Sequence, residues 1–316
     1  MKKLICLLIL TLGILGCSSD EDDNGAVFEK ITTDAPSIGL SNISFINKNQ
    51  GIICGGFGYL AKTNDGGRTW TKLNVGTNQT FMSAFMLNEQ NFYTARLEMF
   101  ATTNSGTTFK KIESLPSTST IFAIQFFNST TGVIIRGGSL LKSSDSGNTW
   151  TAINNDLNLL NDLQQTSALV GYASGGYTSD SSDAGQIAKT IDGGETWTKT
   201  LDSDSNLSSW FISDNIGYYI NSKKELYKTS NGSNSWTKIA NLPTTGLSVC
   251  FTNENTGYFS AYDGQIFETK NGGLNWKIVY SSPAEQGKPN ESITKIIAKD
   301  GAVFAIGGDG SFLRKK

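Results

Sequence analysis

The sequence predicts an all-β fold: a seven-bladed β-propeller of four-stranded blades, closed by an N-terminal strand that completes the last blade. Three observations carry this reading. A turn motif, Thr63-Asn64-Asp65-Gly66-Gly67-Arg68-Thr69-Trp70 in its first copy, returns five more times. Its third position (Asp65, Ser105, Asp145, Asp192, Asn231, Asn271) steps by 40, 40, 47, 39 and 40 residues. A fixed period near 40 marks one supersecondary unit copied around a ring or along a solenoid. A second register keeps the same period: Phe45, Phe85, Phe126, Phe211 and Phe251 each stand six residues before Gly51, Asn91, Gly132, Gly217 and Gly257. The third observation comes from the two ends of the repeat array, which complement each other.

Within the first unit, residues 41–47, 51–56, 59–63 and 70–73 read as four short strands, A to D. Each run is too short for a helix and has turn residues on both sides. Four strands in about 40 residues is the size of a propeller blade. The fourth unit, around residues 165–173, lacks the phenylalanine and is the most divergent. At the C-terminus, residues 292–298, 302–307 and 311–315 supply A, B and C strands with no D strand after them. Residues 27–32 resemble the D strands at 70–73 and 236–239, so they are expected to complete blade seven. That pairing removes two sheet edges that would otherwise stand open.

Composition narrows the function. The 316 residues carry 26 basic and 28 acidic side chains, 34 glycines and 5 prolines. The near-balanced charge offers no basic stripe for nucleic acid. The absence of histidine excludes Ser-His-Asp triads, histidine metal sites and imidazole acid–base chemistry. No catalytic residue, cofactor or metal site is expected.

Residues 1–16 read as a targeting segment, set apart from the fold. Lys2 and Lys3 precede an apolar run of 12 residues, 4–15, too short to span a bilayer. The run ends Ile14-Leu15-Gly16-Cys17, which resembles a bacterial lipobox and implies lipidation of Cys17. Residues 17–25 then form a lipidated acidic tether (Asp20, Glu21, Asp22, Asp23), a solvated stretch reaching about 25 Å when extended. The acidic run resembles the surface-export signal of some Gram-negative lipoproteins, and Ser18 argues against inner-membrane retention. The expectation is therefore a monomeric outer-membrane lipoprotein, exposed on the surface or else facing the periplasm, with its propeller at 26–316. Cys54 and Cys250 sit in apolar strand-like runs and read as small buried hydrophobes.

The turn motif, Ser/Thr-x-Asp-x-Gly-x-Thr-Trp, is the Asp-box, and it resembles the BNR repeats of sialidases and other bacterial propellers. Its carboxylate accepts hydrogen bonds within its own turn, so Asp65, Asp145 and Asp192 are read as structural. The second box is weak (Ser105, Phe109), and the fifth has Ser233 where glycine is expected. The whole repeat unit, seen in Phe251, Gly257-Tyr258-Phe259, Asp263-Gly264, Thr269, Asn271-Gly272-Gly273 and Trp276, resembles the photosystem II stability/assembly factor family of Asp-box propellers. That resemblance covers residues 27–315 and implies a non-catalytic, protein-binding propeller. Plant and cyanobacterial members carry an arginine-rich patch for partner binding. This chain has four arginines: Arg68, Arg96, Arg136 and Arg314.

In such a blade the A–B and C–D turns share one face, and the B–C turns and D–A connectors share the other. The longer segments, 154–165, 177–185 and 280–291, fall on the second face, where a rigid scaffold presents binding groups. Arg96 and Arg136 end the B strands of adjacent blades there and suit a carboxylate or a polar protein partner. Tyr177 and Tyr262 lie in or beside B–C turns as candidate aromatic contacts. Trp210 reads as core, and Asp180 with Asp183 make too few ligands for calcium. The expected function is a lipid-anchored envelope scaffold that binds a protein or a glycan. The alternative is a sialidase-like glycoside hydrolase or glycan-binding lipoprotein. A sialidase needs three arginines around a carboxylate, and only Arg96, Arg136 and Arg314 are available for that.

Overall fold

The computed structural model describes residues 27–35, 39–115, 118–153, 156–178, 183–283 and 292–316. The targeting segment, Cys17, the acidic tether and Asp180 lie outside these. The described residues form seven four-stranded antiparallel sheets. The blades run Leu40–Lys72, Ser83–Lys111, Ile121–Ala152, 162–203, 207–241, 246–281 and 293–315. The last sheet takes Phe28–Ile31 as its outer strand, paired Phe28 to Lys315 and Ile31 to Phe312. Expected and observed architecture therefore agree, closure included.

The phenylalanine-to-glycine spacing has a direct physical cause. Phe45 pairs across the A–B hairpin with Gly51, Phe126 with Gly132, Phe211 with Gly217 and Phe251 with Gly257. The ring lies flat over the glycine, and a Cβ on Gly51 would come within 2.6 Å of the Phe45 ring. The other side of each ring stacks on an aromatic of strand B in the preceding blade. The pairs are Phe45 with Phe304 (4.1 Å), Phe126 with Tyr93 (4.4 Å), Phe211 with Tyr172 (3.4 Å) and Phe251 with Tyr218 (3.6 Å). The box tryptophan of the same blade meets the ring edge-on, as Trp70, Trp150, Trp236 and Trp276 do. The core thus sits between blades. The cluster uniting Ile43, Phe45 and Ile53 with Ile297, Phe304 and Phe312 crosses the closure itself.

Two sequence expectations shift by one residue, both in blade two. Met86 pairs with Phe92, while Phe85 pairs with Tyr93, so Phe85 and Asn91 are not the counterparts of Phe45 and Gly51. The second box is centred on Asn104, with Thr102 as its first residue. Thr102 Oγ1 accepts from Gly106 N at 3.0 Å, and Asn104 Oδ1 accepts from Thr108 N at 3.0 Å. The consecutive threonines Thr102 and Thr103 fit either frame in sequence, and the hydrogen bonds select the first. The segment 154–165 also shortens as a connector, because Asp162–Gln165 is strand A of blade four. Much of 177–185 is likewise strand, in a long hairpin of Gly171–Thr178 against Asp183–Thr190.

Each Asp-box is a self-contained hydrogen-bonded turn. Asp65 Oδ1 accepts from Thr69 N at 2.9 Å, Asp65 Oδ2 from Thr69 Oγ1 at 2.7 Å, and Thr63 Oγ1 from Gly67 N at 2.9 Å. Gly67 has φ 82° and lies against the Phe312 ring, where a Cβ would stand 2.3 Å away. Asparagine keeps the essential acceptor: Asn231 Oδ1 takes Ser235 N at 3.0 Å while its amide donates to Ser235 Oγ at 2.8 Å. Ser233 replaces the glycine at φ 73°, and its hydroxyl accepts the Trp236 indole N–H. Hydrogen bonds, led by that from the Thr149 hydroxyl, hold the Asp145 carboxyl down at about 2.

The closure seam carries an additional buried pair. Glu268, 4% exposed, accepts from the Tyr258 hydroxyl at 2.7 Å and faces Lys315 Nζ at 3.4 Å. Phe28 packs edge-on against Tyr258 at 6.0 Å. Lys30 adds an ion pair with Asp309 at 2.7 Å, and Thr33 donates to the Gly310 carbonyl. Cys54 and Cys250 are free and fully buried, and burial pushes the Cys54 thiol up to about 12.

Two outcomes follow for stability. Phe28→Ala, emptying a site that is 2% exposed, should cost about 3–5 kcal/mol in denaturant unfolding, whereas the exposed Thr71→Ala should stay within about 0.5 kcal/mol. Asp145→Ala should cost about 1 kcal/mol near neutral pH, and Asp145→Asn should be close to neutral. Because the folded carboxyl titrates below its ordinary value, its ionic contribution is complete above about pH 4. It fades as pH falls toward about 2, so wild type should lose ground to Asp145→Asn on acidification.

Candidate functional site

The A strands surround a central channel, and their side chains decide what it holds. At the mouth shared by the B–C turns and D–A connectors is a cavity of about 280 Å³, bordered by Asn42, Asp162, Asn206, Thr245, Tyr262 and Lys295 among others. A second cavity of about 430 Å³ continues below it, walled by A strands and Trp210. Lys295 of blade seven meets Asp162 of blade four at 3.0 Å, and both residues border both cavities. These blades stand across the ring from each other, so the ion pair spans the channel between the two chambers. Trp210, read as core, is half-buried in this wall and donates its indole N–H to the Phe251 carbonyl at 3.0 Å.

Four A strands bulge at the level of the mouth. The residues skipped by the ladder are Ser41, Phe122, Leu247 and Thr294. All four border the upper cavity. A bulge turns one extra side chain out of the regular alternation, the usual means of re-aiming a residue at a site.

Blade four carries amides in strand A, while Phe127 of blade three lies over Gly171 and meets Trp197 edge-on at 6.4 Å. Gln165 occupies the phenylalanine position, opposite Gly171. Gln164 Oε1 accepts from Phe211 N at 2.8 Å and its Nε2 donates to Phe211 O at 2.7 Å, tying blade four to blade five. Gln125 Nε2 donates to Gln165 Oε1 at 3.1 Å, tying it to blade three.

The rim of this face carries exposed apolar side chains at the B–C turns of four blades: Phe57 (63%), Leu97 (40%), Tyr177 (44%) and Tyr262 (59%). Phe57 sits at φ 50° in a turn closed by Tyr59 N to Gly56 O at 3.0 Å. A bulky residue in the left-handed region is strained, and such strain concentrates where function holds it in place.

The sequence-derived candidates all lie on this one face but do not converge. Arg96 and Arg136 flank segment 118–121. The Arg96 carbonyl accepts from Ile121 N, and Arg136 Nη2 donates to Thr118 Oγ1 at 3.0 Å. Tyr177 stands on the blade-four hairpin, and of the four only Tyr262 borders the cavity. Asp183 accepts from Ser222 at 2.8 Å, and among the described residues no cluster of metal-ligating side chains forms. Arg314 packs beside Gly66 of the first box, on the opposite face from Arg96 and Arg136. The features missed in sequence are Phe57, Leu97 and the Asp162–Lys295 pair. Phe57 left one signal, a bulky residue set between Gly56 and Gly58 in a two-residue turn.

A family model described as photosynthesis system II assembly factor YCF48 matches residues 176–315. The match covers the C-terminal part of the ring, and the chain as a whole is similar in fold to solved YCF48 propellers. The solved structure of YCF48 bound to a D1 peptide superposes with a TM-score of 0.71 at 20% identity, covering 92% of this chain and 96% of that one. YCF48 from Cyanidioschyzon merolae gives 0.70 at 16% identity, covering 92% and 98%. The GH74 xyloglucanase from Xanthomonas campestris gives 0.62 at 12% identity, covering 85% of this chain and 51% of that enzyme. No curated protein matches the chain.

At the blade four–five junction the Gln164 amide adds two hydrogen bonds to the stack of Phe211 on Tyr172. Gln164→Ala leaves Phe211 N–H without its side-chain partner and should cost about 1–3 kcal/mol in urea unfolding; an unchanged midpoint would show that water replaces the amide.

Proposed function

We propose that this chain is a non-catalytic, lipid-anchored propeller of the cell envelope that binds a protein partner on the face formed by its B–C turns and D–A connectors. The observation that carries the reading is the apolar rim of Phe57, Leu97, Tyr177 and Tyr262 around the channel mouth. Exposed aromatic and aliphatic anchors on rigid turns, with Arg96 and Arg136 beside them, suit a macromolecular partner. The likeness to a propeller solved with a bound peptide supports a protein partner, and the assembly-factor family model supports a scaffold role.

Val27 accepts a hydrogen bond from Lys316 N at the Asp-box side of blade seven. The first described residue, Val27, therefore stands at the Asp-box face, opposite the rim. The nine residues between Cys17 and Val27 reach about 30 Å at most. The acidic run after Cys17 favours display on the outer surface. Against the sialidase alternative, Arg314 lies on the opposite face from Arg96 and Arg136, so the three arginines form no carboxylate clamp.

Cys17→Ala should move the protein from the membrane fraction to the soluble fraction and abolish palmitate labelling. Photocrosslinking from intact cells should capture a partner with wild type and with Leu274→Asp, which alters an exposed leucine on the Asp-box face. Phe57→Asp/Leu97→Asp should lose it. Loss of the same partner with Leu274→Asp alone would move the interface to the other face.

A further inference from the structure

The upper cavity differs in chemistry from the apolar rim around it. Asn42, Asn206, Ser208 and Thr245 border it, are half-buried, and make no side-chain hydrogen bond within the described protein. Ser41, a bulge residue, joins them with an equally unpaired hydroxyl. None of their polar atoms is sealed from solvent without a partner. They come from blades one, five and six, so unpaired donors and acceptors face the cavity from separate sides of the ring. Among the described residues on its wall the charges are Asp162 and Lys295, paired across 3.0 Å.

We infer that this cavity is a binding site for a neutral sugar ring, taken from the end or branch of a glycan. The argument is one of matching. Amides and hydroxyls both donate and accept, so groups arrayed around a space call for a ligand with hydroxyls around its perimeter. A single protein side chain offers one or two polar groups and leaves the rest unpaired, whereas a pyranose offers them on every side. A charged ligand would have to break the Asp162–Lys295 pair, while a neutral one keeps it and can hydrogen-bond to both partners. Tyr262, 59% exposed at the edge, supplies the flat face on which the C–H surface of a sugar packs. A volume of about 280 Å³ admits one or two rings. The bulges at Ser41, Phe122, Leu247 and Thr294 set side chains of four blades at one level of the cavity wall, of which Ser41 adds an unpaired hydroxyl. Of the rim side chains only Tyr262 borders the cavity, so variants of Phe57 and Leu97 probe protein binding without altering the sugar site.

The test uses the full detergent-solubilised chain and free sugars: glucose, galactose, mannose, N-acetylglucosamine and the disaccharides cellobiose and chitobiose. Saturation-transfer NMR and calorimetry read binding. At least one sugar should bind saturably with a Kd on the order of 1 mM. Asn42→Ala and Asn206→Ala should each weaken it by at least about tenfold. Thr245→Val, which keeps the side-chain shape without the hydroxyl, should weaken it while leaving the melting temperature unchanged. Tyr262→Ala should weaken it, and Phe57→Ala should not. No saturation by any of these sugars up to about 50 mM, or saturation indifferent to Asn206→Ala and Thr245→Val, would overturn the assignment.

Discussion

Across most of the ring, adjacent blades are joined through one ring of carbon atoms. The A-strand phenylalanine lies over the glycine paired with it, stacks on an aromatic of the preceding blade and takes the edge of its own box tryptophan. Each partner is needed for geometric reasons. A Cβ on the glycine would occupy the ring's position, and an aliphatic residue on the preceding B strand would not give the flat face. Aromatic pairs add about 0.5–1.5 kcal/mol each beyond burial, and this unit recurs with Phe45, Phe126, Phe211 and Phe251. The stack of Phe45 on Phe304 matters most, because it joins blade one to blade seven and exists only if the ring is shut.

In blade four, where strand A has glutamine in place of that phenylalanine, Phe127 of blade three covers the glycine and meets Trp197, and glutamine amides add hydrogen bonds to both neighbouring blades. Blade four has Gln165 opposite Gly171, and Gln164 and Gln165 reach the backbones of blades five and three. Half-exposed amides belong beside a wet channel, and these two residues help to wall it. The same segment supplies Asp162, whose pairing with Lys295 spans the channel. The divergent blade is therefore also the one that shapes the channel interior.

The repeat made most of this architecture legible in advance. Period, strand count and closure all followed from motif spacing and from the likeness of residues 27–32 to the D strands. Blade two misled by one residue because Thr102 and Thr103 both satisfy the motif, and only a hydrogen-bond pattern distinguishes them. Strand A of blade four was hidden in a polar connector because its side chains face a channel and show no alternation of apolar residues. The candidate site was legible only as a face. Turn positions identify which loops share a side, as for Arg96, Arg136, Tyr177 and Tyr262. Bulges, unpaired amides and a salt bridge across 133 residues of sequence leave no local trace. Phe57 was missed because its importance lies in a left-handed backbone that sequence pattern does not report.

The closed ring is the claim on which the rest depends, and amide hydrogen exchange of the N-terminal strand tests it most directly. The antiparallel pairing of Phe28–Ile31 with Phe312–Lys315 predicts that peptides covering these residues exchange as slowly as the inner strands of blades five and six. Exchange at the rate of an unstructured peptide, with those blades still protected, would contradict the account.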